Sequence, residues 1–442
     1  MRDRLYRSRK NLLSIAAWRV RLTLWGGALL VGLAATFFAE ASERANYLFK
    51  YLTATSPYLP LIVTPLGLMG VAWLTINLFP GAQGSGIPQT LAALESRTIE
   101  GVRERVLALR IAAGKLLLTF IGLLSGASIG REGPSVHVGA VMMYSMGKWM
   151  KFPPHYMERA LILSGGAAGV AAAFNTPLAG IVFAIEEMGR SFEERTNGVM
   201  LTAVILAGLT SLMVLGNYNY FGSTTAELGS LSEWLVIPVC GALGGFIGGL
   251  FSQGLIMGSR KLAPVMSKRP LQLAGICGLL VALIGLLSGN LSYGTGYVEA
   301  KSIIANGINP DPLYPLYKFL ATAASYLSGI PGGLFAPTLA TGAGLGVDLA
   351  SWFPGVSVAA VTILGMAAYF TGVVQTPITA FVIVMEMTDS HTMLLPLMAT
   401  AFIASTVSKL ICPEPIYRAL ARAFLNPEAT GRPKLEQTSA VK

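Results

Sequence analysis

The stretch from Gly126 to Ala140, GASIGREGPSVHVGA, places an arginine and a glutamate between glycines immediately before a predicted helix start. Pro134 suits the first turn of a helix, because its missing N–H would have no intrahelical partner there. The glycines leave backbone N–H groups uncovered, and the positive end of the helix dipole adds to their attraction for an anion. The stretch therefore predicts an anion site, which the tethered carboxylate of Glu132 would occupy when no free anion is bound.

The composition indicates a polytopic membrane protein. Of the 442 residues, 53% are hydrophobic and only 12% are charged, and the mean hydropathy is +0.61. These values are too apolar for a soluble protein. The 50 glycines fit the close helix contacts and broken helices of membrane proteins. Three scattered cysteines and three scattered histidines indicate neither a disulfide framework nor a metal site, and we expect no cofactor.

The formal net charge of +10 does not indicate nucleic-acid binding, because the basic residues lie beside hydrophobic stretches. Seven of them crowd the first apolar stretch, which by the positive-inside rule places the N-terminus in the cytoplasm. No cleavage pattern follows this stretch, so we expect it to remain as a membrane helix. The seven basic residues are Arg2, Arg4, Arg7, Arg9, Lys10, Arg19 and Arg21.

Apolar stretches of membrane-spanning length recur along the chain and define its organisation. The first two predicted spans are 22–39 and 59–79, separated by a polar loop. The predicted order is a cytoplasmic basic N-terminus at 1–21, a first membrane repeat at 22–216, a polar linker at 217–233, a second membrane repeat at 234–425 and a cytoplasmic tail at 426–442. The tail is too short for a folded regulatory domain.

Three further short motifs open helices that are exposed at their N-terminal ends. GSGIP at 84–88 precedes a helix too short to span a membrane, with the hydroxyl of Ser85 at its tip. GIPGGLFAP at 329–337 is a second glycine-rich helix start, and PEPIY before a short amphipathic helix ends at Tyr417. Together with the stretch around Glu132, these motifs predict several helix starts directed at the interior of the protein.

The two halves of the chain resemble each other, which is the strongest internal signal in the sequence. Residues 165–186 match residues 365–386, and residues 115–134 match residues 318–337. Glycine-opened helices in corresponding positions of two membrane halves point to a transport site near the midplane of the bilayer. The matched pairs are Pro177 and Pro377, Glu186 and Glu386, Lys115 and Lys318, and Pro134 and Pro337.

Two acidic residues break this correspondence. Glu132 falls opposite Phe335, and Glu187 falls opposite Met387. If the repeat architecture alone required acids at these positions, both copies would carry them. The asymmetry therefore favours a function for Glu132 and Glu187 that one copy supplies.

Each polar residue also has a purely structural interpretation, which the sequence leaves open. Glu132 would then satisfy the helix N–H groups and the neighbouring arginine, and Ser85 would be an ordinary N-cap. Glu186 and Glu187 would diverge by about 100° on a helix, so that one faces the interior, or both would be surface charges. Lys115, inside a predicted span, either faces protein or snorkels to an interface.

Taken together, these motifs resemble those of the CLC chloride channel and transporter family. GSGIP at 84–88, GREGP at 130–134, GGLFAP at 332–337 and the late Tyr417 stand in the family's order and cover nearly the whole chain. The resemblance implies an all-α polytopic fold of two inverted repeats, with broken helices meeting at a midplane anion site. It also implies a homodimer in the lipid bilayer, with one pore per subunit.

The resemblance also assigns roles to individual residues. The hydroxyls of Ser85 and Tyr417 would donate to a central chloride, and the N–H groups of Leu334 and Phe335 would complete the site. Glu132 resembles the external gating glutamate, which competes with chloride when ionised and withdraws when protonated. The residues implied in chloride binding are Ser85, Gly86, Ile87, Arg131, Glu132, Gly133, Leu334, Phe335, Ala336 and Tyr417.

The mechanism implied by the resemblance is exchange of chloride for protons. Glu187 resembles the internal proton-transfer glutamate of the exchangers, whereas passive channels of the family typically lack an acid there. Ser85 resembles the chloride-selective pattern, since members that prefer nitrate tend to carry proline and fluoride exporters carry methionine. The chain departs from the pattern at Gln89, where many relatives have glutamate. The lack of the nucleotide-binding C-terminal domains of larger members suggests a prokaryotic form without ATP regulation. We expect it in the inner membrane, with both termini in the cytoplasm.

Other functions fit the sequence less well. A passive chloride channel, gated by voltage or protons, is the alternative, because it would share every anion ligand. An intramembrane hydrolase would need paired acids, a serine and histidine pair or a metal constellation, and the sequence contains none. We therefore do not expect an enzyme. A scaffold would leave the repeated inward helix starts unexplained.

Overall fold

The computed structural model describes residues 15–95, 101–150, 156–189, 194–216 and 218–425. The regular elements of these residues are helices, as predicted, with two isolated backbone bridges between loops. Most of the basic N-terminus, residue 217 of the linker and the tail from 426 lie outside the described residues. In chain order the α-helices are α1 (Ile15–Thr55), α2 (Pro60–Asn77), α3 (Ile87–Glu95), α4 (Val102–Val106), α5 (Leu109–Leu124), α6 (Glu132–Trp149), α7 (Tyr156–Phe174), α8 (Pro177–Phe183), α9 (Glu194–Leu215), α10 (Val236–Lys268), α11 (Pro270–Leu287), α12 (Tyr297–Asn306), α13 (Tyr314–Leu327), α14 (Phe335–Ala350), α15 (Val358–Val374), α16 (Pro377–Thr388), α17 (Leu394–Ile411) and α18 (Ile416–Leu425).

Seven helical segments within the described residues are long and apolar enough to cross a membrane. The first of them differs from the sequence prediction, because α1 begins before residue 22 and continues for 41 residues through the expected polar loop. The charged side chains that suggested a loop have partners. Glu40 lies 2.8 Å from Arg44 one turn later, and Lys50 forms an ion pair with Glu299. The first pair stabilises the helix from within, and the second joins it to α12.

The two halves of the chain have the same order of elements, as the sequence repeat predicts. α6, α7 and α8 of the first half correspond to α14, α15 and α16 of the second. Gly130 and Gly333, in the loops before α6 and α14, exchange two backbone hydrogen bonds of 2.7 Å each. Such reciprocal bonds between equivalent residues are the mark of a two-fold axis relating the halves.

Glycines bring the central helices of each half into backbone contact. A methyl group at Gly165 in α7 would overlap the backbone carbonyl of Gly139 in α6. In the second half, a methyl group at Gly365 in α15 would lie 2.7 Å from the backbone of Gly342 in α14. Close crossings through small residues are typical of membrane helices. They bring the starts of α6 and α14 close to the middle of the protein.

Candidate ion-binding site

Four helices begin around one buried point. They are α3, α6, α14 and α18, and the residues at their starts are those singled out by the four sequence motifs. Ile87, Glu132, Phe335 and Tyr417 are each no more than 1% exposed. Because the starts of α3, α6 and α14 meet there, their free N–H groups and positive dipole ends favour an anion.

Backbone hydrogen bonds between the preceding loops hold three of these helix starts together. Besides the pair between Gly130 and Gly333, the N–H of Gly84 donates to the carbonyl of Ile330 at 3.2 Å. The N–H of Gly332 donates in turn to the carbonyl of Gly84 at 3.3 Å. The site is therefore assembled across the two repeats rather than within one of them.

Two hydroxyl groups at the site are buried without a partner. Ser85 and Tyr417 are each 1% exposed, and neither hydroxyl has a hydrogen-bond partner among the described residues. The N-cap interpretation of Ser85 is therefore wrong. The ring of Tyr417 lies 6.0 Å from that of Phe335, and Ser85 contacts Gly133 at the start of α6. A buried hydroxyl is costly to leave unpaired, so both are suited to donating to a bound anion.

The carboxylate of Glu132 lies at the same place. It is fully buried over Gly130, next to the backbone N–H groups of Arg131 and Ala336. Neither oxygen reaches hydrogen-bond geometry with the part of the chain that the structure describes. Glu132 therefore lies among the helix starts without being a fully bonded helix cap.

The guanidinium group of Arg131 points away from the helix starts. It donates to the carbonyl of Ala39 in α1, lies 3.6 Å from a carboxylate oxygen of Glu43 and covers the ring of Tyr220 at 5.5 Å. The sequence left open that this side chain pairs with Glu132. In the structure, its hydrogen bond and its ion pair are both with residues of α1. The part of Arg131 that faces the site is its backbone N–H group.

Glu186 and Glu187 follow α8 in a π-helical turn, Ala184–Gly189, and not in the α-helix that the sequence predicts. Glu187 is 3% exposed, so the alternative that both are surface charges is wrong. The Tyr417 hydroxyl lies within electrostatic range of both Glu187 and Glu132. Single π-helical turns are rare in proteins, and those that occur are often found at functional sites.

Two cavities lie beside segments that carry residues of the site. One, of about 410 Å³, reaches Arg131 and Tyr220 on the side of Glu132. Another, of about 260 Å³, reaches Gln83 and Gly329, next to the loop that carries Ser85. Neither Glu132 nor Ser85 lines either cavity.

The sequence analysis missed the aromatic residues that enclose the site. Tyr220 and Phe221, which fall in the predicted polar linker, are each 2% exposed, and the N–H of Phe221 donates to Met387. Phe174 stacks on Phe335 at 6.4 Å. The signal was the sequence Tyr-Asn-Tyr-Phe at 218–221, where three aromatic residues interrupt a polar segment.

Comparison with known proteins identifies the family of this chain. Residues 66–409 match the family model described as voltage gated chloride channel. The chain belongs to the CLC family. This CLC protein is 32% identical over 399 residues to the H(+)/Cl(-) exchange transporter ClcA of Yersinia pestis bv. Antiqua (strain Angola), with 85% of this chain and 80% of that transporter covered. It is 30% identical over 446 residues to ClcA of Citrobacter koseri, covering 93% of this chain and 91% of that protein.

Solved structures show the same architecture. A slow cyanobacterial Cl-/H+ antiporter is similar at a TM-score of 0.79 and 26% identity, over 92% of this CLC protein and 98% of that chain. A CLC-type fluoride/proton antiporter is similar at 0.76 and 25%, over 92% and 99%. The chain is therefore an integral membrane protein with the CLC fold.

Proposed function

We propose that this CLC protein exchanges chloride for protons across a membrane. The observation that carries the proposal is a fully buried carboxylate, Glu132, at helix starts where the hydroxyls of Ser85 and Tyr417 are also buried. One site can then hold a chloride ion or a carboxylate. The exchange transporters among its relatives support coupled exchange over a passive channel.

In this mechanism chloride is held by neutral donors. The hydroxyls of Ser85 and Tyr417 donate to the ion from one side, and the N–H groups of Leu334 and Phe335 donate from the start of α14. The helix starts at Gly86, Ile87, Gly133 and Ala336 add their dipoles and the N–H group of Arg131 lies beside them. Without a fixed cation in contact, the ion is bound strongly enough to enter and weakly enough to leave.

Glu132 couples the ion to the proton. The ionised carboxylate competes with chloride for the same N–H groups, and protonation removes its charge and lets chloride take its place. A proton carried by Glu132 and passed to Glu187 would cross the protein by a route separate from the last part of the chloride path. Glu187 is buried within electrostatic range of Tyr417, which supports that route.

We further propose a homodimer in a prokaryotic inner membrane, with one pore per subunit and both termini in the cytoplasm. Large apolar side chains are exposed at equivalent places of the two halves, which supports an apolar interface. They include Leu178 and Ile205 in α8 and α9, and Ile378 and Phe402 in α16 and α17.

The test uses purified protein in chloride-loaded liposomes, with chloride and external pH recorded together after a chloride gradient is imposed. Protons driven uphill by chloride are expected. Rapid chloride flux without proton movement would instead establish the passive channel. Flux of fluoride or nitrate in place of chloride would show that the interpretation of Ser85 is wrong. Fluoride is included because one of the similar structures is a fluoride/proton antiporter.

A further inference from the structure

The loop before α3 is held by two buried side chains that the transport scheme above does not use. Gln89 and Lys115 are both fully buried. The amide nitrogen of Gln89 donates to the carbonyls of Gly81 at 3.2 Å and Gln83 at 2.7 Å. The ammonium group of Lys115 donates to the carbonyl of Gly84 at 3.0 Å. Snorkelling of Lys115 is therefore excluded, and the loop carbonyls have fixed partners.

The orientation of the Gln89 amide follows from its partners. Both are carbonyl oxygens, which can only accept, so the NH₂ group and not the oxygen must face the loop. An ionised glutamate at this position would have no proton to donate to either carbonyl. The amide therefore donates to both carbonyls at once, which a carboxyl group with at most one proton cannot do.

These hydrogen bonds determine which way the loop presents its peptide groups. The peptide bonds of the described chain are trans, and in a trans peptide the C=O and N–H point in opposite directions. Because the carbonyl of Gly84 faces Lys115, the N–H of Ser85 points away from Lys115. The carbonyls of Gly81 and Gln83 are turned toward Gln89, so these oxygens, which would repel an anion, are held by donors.

Comparison of the two repeats shows which of these two side chains is common to both halves and which is specific to the loop of Ser85. Lys318, the equivalent of Lys115, donates to three carbonyls of the loop before α12, at 2.7 to 3.3 Å. The lysine is thus common to both halves. Gln89 is the third residue of α3, and the third residue of α12 is Glu299, which binds Lys50 instead. Of these two equivalent loops, only the one that carries Ser85 is held by a side-chain amide.

We propose that Gln89 is a positioning residue for chloride. By holding the carbonyls of residues 81 and 83, it fixes the loop that leads into Ser85 and, through that loop, the position of the Ser85 hydroxyl. This inference rests on the proposed role of Ser85 as a chloride ligand. It assigns Gln89 to chloride affinity and leaves proton transfer to other residues.

The experiment measures the chloride dissociation constant of the purified protein by titration calorimetry, together with flux in liposomes. Gln89→Met keeps the volume and removes both donors, and we expect it to raise the dissociation constant about tenfold, from the loss of two hydrogen bonds. The KM for chloride should rise while the ratio of chloride to protons stays at the wild-type value. Gln89→Glu should weaken binding further, because it adds a negative charge. The control is Gln272→Met, at an exposed position of α11, which should bind chloride like the wild type.

A dissociation constant within twofold of the wild-type value in folded Gln89→Met would overturn the inference, even if the melting temperature falls. If Gln89→Met does not fold, unchanged chloride affinity in the nearly isosteric Gln89→Glu overturns it equally. The proposed function fails separately, when the wild-type protein itself neither binds nor transports chloride.

Discussion

Glu186 and Glu386 bind the first turn of each other's helical segment across the two-fold axis. The carboxylate of Glu186 accepts two N–H groups at the start of α16, at 3.1 and 2.6 Å. The carboxylate of Glu386 accepts two N–H groups at the start of α8, again at 3.1 and 2.6 Å. The sequence repeat matches these glutamates because each copy supplies the cap for the other. The donors are Ile378 and Thr379 in α16, and Leu178 and Ala179 in α8.

Glu186→Ala and Glu386→Ala should destabilise the protein to a similar extent. Each substitution removes a carboxylate that accepts hydrogen bonds from two helix N–H groups. We expect the free energy of unfolding to fall by about 1–2 kcal/mol, as for a half-buried charge at a helix N-terminus. Thermal melts in detergent, followed by circular dichroism, measure the effect. Glu40→Ala, which removes an exposed ion pair within α1, is the control and should leave the melting temperature nearly unchanged. A decrease confined to one of the two caps would contradict the reciprocal arrangement.

Glu187→Gln should block proton movement and spare chloride flux. The amide keeps the shape of the buried side chain in the π-helical turn but cannot release and accept a proton at neutral pH. Chloride and proton flux recorded together in liposomes give the ratio. Glu386→Gln, at the residue of the second repeat that is equivalent to Glu186, should retain coupled exchange. A wild-type ratio in Glu187→Gln would remove this residue from the proton path.

Glu132→Gln should abolish proton coupling while chloride still passes. The neutral amide mimics the protonated carboxyl group, so it no longer competes with chloride as an anion at the helix starts. The measurement is uptake of protons against their gradient when chloride flows outward. Glu40→Gln, an exposed carboxylate on α1, provides the matched control. Proton uptake in Glu132→Gln at the wild-type rate would show that the gate lies elsewhere.

The sequence predicted the features that depend on local pattern. Prolines, glycines and the repeat placed the starts of α3, α6, α14 and α18, because a helix start has a signature within a few residues. It did not predict the continuous α1, since Lys50 in that helix is neutralised by Glu299, 249 residues away. The direction of the Arg131 side chain and the π-helical turn likewise depend on residues distant in sequence. Long-range partners of this kind leave no trace in local periodicity.

Gly133 is the point at which the first-repeat helix start meets the loop of Ser85. A methyl group at Gly133 would lie 2.6 Å from the carbonyl oxygen of Ser85, a distance at which the backbone of the loop must shift. Gly133→Ala should therefore displace Ser85 and raise the chloride dissociation constant at least about tenfold, the cost of roughly one misplaced hydrogen bond.

Gly70→Ala gives the matched control for this substitution. Gly70 lies in α2, and a methyl group there would have nothing within 4 Å. Replacing glycine by alanine inside a helix should stabilise the protein by about 0.5–1 kcal/mol and leave chloride binding unchanged. Titration calorimetry with chloride on both variants separates the effects. Equal affinities in folded Gly133→Ala and Gly70→Ala would mean that the contact between α6 and the Ser85 loop does not shape the anion site.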